Sequence, residues 1–234
     1  QVPLLERLRF LGIFSNNQDE FFRVRVATVK RLSELGKKAN TLLKGKPRKV
    51  LEEVHDEVVR QGKLFDAIYT EVQQALKKNG IHIINETQLT RQQGEFVQKY
   101  FDEHVRPALV PIMLQQVKQF PYLRDKVIYL AIKLTGSRKK QYALVEVPSE
   151  TTPRFVRLPS HNQQHYIILL DDIIRYNLPE VFSTFSFSKI EAYTIKVTRD
   201  AELDIDNDIS QSFIDKISKG VKARQKGNPV RFVY

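Results

Sequence analysis

A stripe of apolar residues that recurs at steps of three, four and seven positions limits the fold of this sequence most. The stripe consists of Leu51, Val54, Val58, Phe65, Ile68, Val72 and Ala75. This near-heptad spacing puts the seven side chains on one side of a helix, which we expect to span about residues 48–78. Because so long a helix must cover its apolar stripe, the spacing predicts an antiparallel helical bundle.

The residues before this helix supply its predicted partners. One helix is predicted over about residues 3–14 and a second over about 19–35, because apolar residues recur there at steps of three and four. Between them, the polar run 15–18 is predicted to break the helix, with Ser15 or Asn17 as the N-cap of the second helix.

A domain boundary is predicted near residue 80, where Asn79-Gly80 forms a helix stop and the sequence pattern changes. Residues 1–79 are expected to form the helical bundle. Residues 80–234 carry signals for both strands and helices, so we expect a mixed α+β domain there. The predicted fold class of the whole chain is therefore α+β.

Local signals place the elements of this second region. A capping box over residues 90–93 opens one helix, and Asp171 or Asp172 is expected to cap another that ends near Phe182. The runs 127–134 and 141–147 predict a β-hairpin. Further strands are expected over 81–85, 155–158, 166–170, 190–197 and 230–234, and a further helix over about 206–221.

Basic charge is concentrated at the N-terminal end of the chain. The formal net charge is +11, and residues 1–50 hold twelve Lys or Arg against four Asp or Glu. Such an excess attracts polyanions. The basic run 37–49 is most simply a solvated loop, and the alternative is an electrostatic funnel for a polyanion. Regularly spaced aromatic platforms for single-stranded nucleic acid are missing beside it, so no nucleic-acid partner is expected.

Several kinds of site are excluded by composition or spacing. The chain has no cysteine, which excludes disulfides and thiolate chemistry and suits a reducing compartment. No apolar run reaches the length of a transmembrane helix, so no such segment is expected. Gly45-Lys46 is followed by Pro47, which breaks the phosphate-binding loop pattern, and residues 204–208 start a calcium-loop pattern that residue 209 breaks. None of the five histidines shows a metal-binding spacing.

The polar run 15–18 also has a possible binding role through Asn17. An asparagine side chain offers both a hydrogen-bond donor and an acceptor, so it can recognise the edge of a polar ring such as adenine. From the residues alone, helix capping is the simpler interpretation of Asn17.

The segment Pro3–Ala27, which reads PLLERLRFLGIFSNNQDEFFRVRVA, closely resembles the N-terminal part of bacterial polyphosphate kinase of the histidine-autophosphorylating type. The resemblance continues in order at residues 81–89, 142–149, 153–159, 168–172, 198–202 and 229–234. One departure from the family pattern is Gln18, which stands where family members usually carry Leu.

The resemblance implies an enzyme that reversibly transfers the terminal phosphate of ATP to polyphosphate, releasing ADP, through a phosphohistidine and with Mg²⁺. It implies that residues 1–79 are the helical domain that closes over the nucleotide. Residues 80–234 would then be most of the head domain, which makes dimer contacts, so a homo-oligomer is expected. Because the second Asn of the family's Ser-Asn-Asn string contacts ATP, the resemblance implies a nucleotide-binding role for Asn17.

In the family, the phosphorylated histidine and the Mg²⁺ site follow the region that resembles this chain. We therefore expect no catalytic residue and no metal ligand within these 234 residues, and we expect the chain alone to be inactive. The expected location is cytoplasmic, and the alternative is association with a membrane as part of a larger complex. Two other classes stay open: a non-enzymatic polyanion-binding module that uses Lys37–Lys49, and a dimerisation scaffold.

Overall fold

The computed structural model of the protein describes residues 2–34, 46–137, 139–161, 163–201 and 227–234. Within these ranges the chain contains both helices and β-sheets, which confirms the α+β class. Three predictions lie outside the described residues: most of the basic run 37–49, the acidic run 204–208 and the helix over 206–221.

Contacts along the chain divide it into two compact units. The first contains Gln1–Val72 and Val197–Phe232, and the second contains Gln73–Lys196 and Val233–Tyr234. The first unit is mainly helical in its described part, and the second contains most of the strands.

The helical unit is built from α1 (Leu4–Phe21), a π-helical turn (Phe22–Val26), α2 (Ala27–Glu34) and most of α3 (Pro47–Lys78). The bounds of α3 confirm the long helix that the apolar stripe predicts. Its end is also as predicted, because Gly80 follows with a positive φ of 74° that a glycine adopts without strain.

Helices α1 and α3 run antiparallel, as predicted for the bundle. Near the start of α1, Arg7 Nη2 lies 3.2 Å from Glu71 Oε2. Further along α1, the ring of Phe14 lies 5.9 Å from the ring of Phe65. Advancing along α1 therefore means moving back along α3.

The helix break predicted at residues 15–18 is wrong. Helix α1 continues from Leu4 to Phe21 without interruption, so neither Ser15 nor Asn17 caps a helix. Polar residues in a helix interior cost at most about 0.7 kcal/mol each. That cost is offset here by tertiary contacts of the same segment, described below.

The backbone irregularity of this region lies later, in the π-helical turn Phe22–Val26. There the carbonyl oxygen of Arg23 accepts a hydrogen bond from the amide N–H of Ala201 at 3.3 Å. A π-helical turn displaces carbonyl groups from the regular pattern of helical hydrogen bonds. The displaced carbonyl of Arg23 is bonded instead by Ala201, which belongs to the same unit.

Two sheets hold the strands of the chain. A mixed sheet has the order β1-β6-β5, with β1 and β6 parallel and β5 and β6 antiparallel. A second sheet has the order β2-β4-β3-β7-β8. The strands are β1 (Ile81–Ile84), β2 (Pro111–Met113), β3 (Ile128–Thr135), β4 (Lys140–Glu146), β5 (Phe155–His161), β6 (Gln164–Leu169), β7 (Lys189–Arg199) and β8 (Pro229–Val233).

The predicted hairpin is confirmed, because β3 and β4 pair in antiparallel register from Tyr129–Glu146 to Thr135–Lys140. The predicted capping box is confirmed at the start of helix α4 (Arg91–Tyr100), where Thr90 and Gln93 each bond the other's backbone N–H. The sequence did not predict β2, which pairs with β4 at the edge of its sheet.

Helix α5 (Leu170–Val181) begins differently from the prediction. Its N-cap is Leu169, and Asp171 and Asp172 lie inside its first turn. The expectation that one of these acids caps the helix is therefore wrong. Both carboxylates are nevertheless near the positive end of the helix dipole, where negative charge is favourable.

The core of the sheet-containing unit lies between helices α4 and α5 and the two sheets. Its fully buried members include Val97, Phe101, Leu130, Ile132, Ile168, Ile173 and Phe182. Of the helices in the described ranges, none combines the length and the apolar character that crossing a membrane requires.

Candidate functional site

Asn17 lies on the exposed surface of α1 and lines a groove between α1 and α3. The groove has a volume of about 440 Å³, which falls within the range of small-molecule pockets. Asn17 therefore presents its amide from within the last turns of α1, and not from a break between two helices as predicted.

Apolar side chains form most of the groove. Helix α1 contributes Phe14 and Phe21, and helix α3 contributes Val54 and Val58. The stripe that predicts the bundle thus also supplies one wall of the groove, because its members at this end of α3 are only half-buried. Such walls suit a flat apolar or aromatic group, with Asn17 available to its polar edge.

Two carboxylates, Glu53 and Glu57, also line the groove. Hydrogen bonds from Arg60 and Gln61 lower the pKa of Glu57 to about 2, so this group is ionised at neutral pH. Both carboxylates are paired with cations outside the groove, Glu57 with Arg60 and Glu53 with Lys49. None of the described residues that line the groove is a lysine or arginine that could bind phosphate groups. The groove accordingly fits the base of a nucleotide better than its phosphates.

The segment next to Asn17 is anchored by a buried ion pair. Asp19 is only 6% exposed. Its Oδ1 accepts a hydrogen bond from Arg231 Nη1 at 3.1 Å and another from Thr198 Oγ1 at 3.4 Å. These contacts explain why the polar run continues as helix, since burying Asp19 requires partners that the helical geometry brings within reach.

Arg231 makes two more contacts with the same stretch of chain. Its Nη2 donates to Gln18 Oε1 at 2.6 Å, and its guanidinium carbon lies 4.9 Å from the centre of the Phe22 ring. Burial lowers the pKa of the Arg231 guanidinium, and the charge of Asp19 opposes that shift. Arg231 therefore contacts Gln18, Asp19 and Phe22, which lie within about one turn of the same helical segment, and holds that segment in a single orientation.

The π-turn and α2 are fixed to the same part of the unit. Lys30 Nζ donates to the carbonyl oxygen of Pro229 at 3.0 Å, and Arg31 forms an ion pair with Asp200. Together with the Arg231 contacts, these bonds connect the first helices to the residues around β8. These long-range bonds cannot be predicted from local sequence patterns, because the partners are about 170 to 212 positions apart.

A second groove of about 570 Å³ lies at the other end of the α1–α3 pair. Its walls are mainly apolar and include Phe10, Leu64 and Phe65, with Arg7 as a charged member. The one side-chain amide among its described lining residues, that of Gln61, already donates to Glu57 Oε1 at 2.7 Å, so the groove beside Asn17 is the stronger candidate for specific binding.

Two histidines in the described part of the chain have side-chain partners. His82 Nε2 lies 2.8 Å from Gln164 Oε1, and His165 Nδ1 lies 3.2 Å from Arg157 Nη2. Across the described ranges, no three His, Asp or Glu side chains come together as a metal site.

Comparison with known proteins gives matches along nearly the whole chain. The family model for the polyphosphate kinase N-terminal domain matches residues 1–84, and the model for the polyphosphate kinase middle domain matches residues 92–234. The matched region of the second model alone exceeds half of the chain.

Individual relatives agree with the family models. The polyphosphate kinase of Vibrio parahaemolyticus is 39% identical over 241 residues, an alignment that covers 100% of this chain and 34% of that protein. The polyphosphate kinase of Escherichia coli (strain K12) is 36% identical, with 99% of this chain and 34% of that protein covered. The chain thus spans about a third of the length of these curated relatives.

A solved structure shows the same similarity. The crystal structure of polyphosphate kinase from Porphyromonas gingivalis matches with a TM-score of 0.68 and 29% sequence identity. The match covers 83% of this chain and 29% of that protein. From the two matched domain models and these relatives, we conclude that the chain belongs to the polyphosphate kinase family.

Proposed function

We propose that the protein containing this chain reversibly transfers the terminal phosphate of ATP to polyphosphate through a phosphohistidine. Membership of the polyphosphate kinase family supports this activity. In this proposal residues 1–79 form the nucleotide-contacting helical domain and residues 80–234 form the head domain. The chain itself contributes substrate contact, and the phosphorylated histidine belongs to other parts of the family's fold.

The observation that carries the nucleotide-binding role is the position of Asn17 in the groove between α1 and α3. We assign the adenine base of ATP to this groove. Its apolar walls cover the faces of the ring, and the Asn17 amide can both donate to and accept from the ring edge. The described lining of the groove includes no lysine or arginine, so the phosphates find their cationic partners outside it.

Phosphoryl transfer depends on positioning and on stabilising the charge of the transferred group, usually with Mg²⁺. Within the described ranges the residues do not fit such an ion, because no cluster of suitable ligands forms. We therefore derive no step of the reaction through Mg²⁺ in this chain. Its contribution is to hold the base so that the phosphates of ATP reach a catalytic site elsewhere.

We also propose that the protein forms a homo-oligomer through residues 80–234. Large apolar side chains are exposed in this region, including Val110 at 70%, Phe120 at 67% and Phe155 at 62%. Burying such side chains between two copies of the chain would contribute to association. Sedimentation analysis of the full gene product tests this, and a species that stays monomeric at high concentration would contradict it.

Replacing Asn17 by alanine in the full gene product tests the nucleotide site. The change removes one ligand hydrogen bond, so we expect the KM for ATP to rise about 2- to 13-fold, from about 0.5–1.5 kcal/mol. The KM for polyphosphate should stay unchanged. Alanine favours helix more than asparagine does, so α1 should remain folded.

Asn16→Ala is the matched control, because Asn16 is an exposed asparagine on the same helix that does not line the groove. It should leave both KM values at those of the wild type. If Asn17→Ala also leaves the KM for ATP unchanged, the assignment of the base to this groove is wrong. If the unaltered gene product forms no polyphosphate from ATP, the proposed activity is wrong.

A further inference from the structure

Gln18 lines the same groove as Asn17 and is half-buried. Its carbonyl oxygen Oε1 lies 2.6 Å from Arg231 Nη2. The amide of Gln18 is therefore a polar group in the groove wall whose oxygen already has a partner.

The contact with Arg231 fixes which end of the Gln18 amide is bonded. An arginine guanidinium carries only hydrogen-bond donors, so the atom that faces Nη2 must be the carbonyl oxygen. Reversing the amide would place two donors against each other and lose a charge-assisted bond. Arg231 cannot easily turn away, because Asp19 and the Phe22 ring hold its guanidinium.

With its oxygen committed to Arg231, Gln18 has only its amide N–H groups left to offer a ligand. Gln18 is one of the residues that line the groove. The groove therefore presents a defined donor from Gln18 beside Asn17, which can act as donor or acceptor.

We propose that Gln18 is a specificity-determining residue that donates a hydrogen bond to a ring nitrogen of the base bound beside Asn17, with Arg231 as its positioning residue. This inference rests on the proposed nucleotide site. A ring nitrogen is the fitting acceptor, because the mainly apolar lining holds a flat ring and its described residues include no lysine or arginine to bind phosphate oxygens.

The test measures steady-state kinetics of the full gene product and its variants with ATP and with the 1-deaza, 3-deaza and 7-deaza analogues of ATP. Gln18→Leu should raise the KM for ATP about 2- to 13-fold, the effect of one hydrogen bond, with kcat and the KM for polyphosphate unchanged. With the one analogue that lacks the accepting nitrogen, Gln18→Leu should have no effect. An equal effect with ATP and all three analogues would overturn the proposal.

Gln18→Glu separates recognition from packing. Glutamate has nearly the same shape and keeps the bond with Arg231, but its carboxylate has no N–H to donate. Because the added negative charge can itself repel the phosphates of ATP, a recognition role predicts a rise in the KM for ATP that disappears with the same analogue as for Gln18→Leu. A purely structural role predicts a wild-type KM for Gln18→Glu, and that result would refute the proposal.

The role of Arg231 is tested with Arg231→Lys. Lysine keeps the positive charge beside Asp19 but loses the second guanidinium nitrogen, Nη2, which reaches Gln18. We expect this change to raise the KM for ATP when Gln18 is present and to have no further effect when Gln18 is Leu. Equal effects in both backgrounds would show that Arg231 does not act through Gln18.

Outcomes for Asn17 and Gln18 distinguish the two proposals. If Asn17→Ala leaves the KM for ATP unchanged, the nucleotide site itself is wrong. If Asn17→Ala raises that KM but neither Gln18 variant does, the site stands and the inference about Gln18 fails.

Discussion

Asp19 and Arg231 are 212 positions apart in the chain, yet Asp19 Oδ1 lies 3.1 Å from Arg231 Nη1. Both side chains are largely withdrawn from water, at 8% and 17% exposure. A buried pair of opposite charges is stable only while both partners are present. The pair therefore makes the orientation of α1, and with it the position of Asn17, depend on strand β8 of the same unit.

We expect Arg231→Met to lower the free energy of unfolding by about 3 kcal/mol, because it removes the guanidinium that is paired with the buried Asp19 carboxylate. Urea denaturation at neutral pH measures the loss. The double variant with Asp19→Asn should recover part of the stability, since it removes the charge that the single variant leaves behind. A double variant as unstable as the sum of both single variants would contradict this coupling.

Gly227 is predicted to tolerate no side chain. A Cβ atom at this position would lie 2.2 Å from the carbonyl oxygen of Asp200, and the amide N–H of Asp200 is itself bonded to Asn228 at 3.0 Å. Because backbone would have to move, Gly227→Ala should lower the free energy of unfolding by about 1–3 kcal/mol, as overpacking does. Urea denaturation measures the change.

Gly12→Ala is the matched control for Gly227→Ala. Gly12 lies inside α1, and a Cβ atom there would have no neighbour within 4 Å. Alanine in a helix interior is favoured over glycine, so stability should rise by about 0.5–1 kcal/mol. Equal destabilisation by both variants would show that the close approach at Gly227 is not the cause.

The sequence predicted those elements whose signals are local. The apolar stripe from Leu51 to Ala75 defines α3 because its spacing alone puts the residues on one face. The Thr90–Gln93 capping box likewise depends on four consecutive residues. Family resemblance, rather than spacing, singled out Asn17.

The prediction failed where distant contacts decide the structure. The polar run around Asn17 reads as a helix break, but contacts of Gln18 and Asp19 with Arg231 keep it helical. Strand β2 begins with Pro111, which is tolerated because the strand lies at the sheet edge. Neither Arg231, which contacts the polar run, nor strand β4, which pairs with β2, lies within a short stretch of sequence around the residues concerned.

The capping box gives a prediction for the second unit. Thr90→Ala removes the side-chain oxygen that accepts from the Gln93 N–H at 3.3 Å, so the free energy of unfolding should fall by about 1 kcal/mol. Thr90→Ser keeps the hydroxyl and should remain near wild-type stability in the same urea experiment. Equal losses in the two variants would indicate that the lost methyl group matters more than the cap.

Asp172, at the start of α5, predicts a dependence of stability on pH. Burial, and next the charge of Asp171, raise the pKa of Asp172 from 3.8 to about 6, although Arg175 Nη1 lies 2.6 Å from its Oδ1. A carboxyl with a raised pKa in the folded state binds its proton more tightly there than in the unfolded chain. Its favourable contribution is therefore complete below about pH 4 and is lost as the pH rises through about 6.

Comparison of the wild type with Asp172→Asn isolates this contribution, because other titrating groups are common to both proteins. Between pH 4 and 7, the free energy of unfolding of the wild type should fall by up to about 3 kcal/mol relative to the variant, from 1.36 kcal/mol for each pKa unit. Urea denaturation at several pH values measures the difference. A constant difference across this range would mean that Asp172 titrates alike in the folded and unfolded chain, and a difference that changes in the opposite direction would mean that Arg175 outweighs burial.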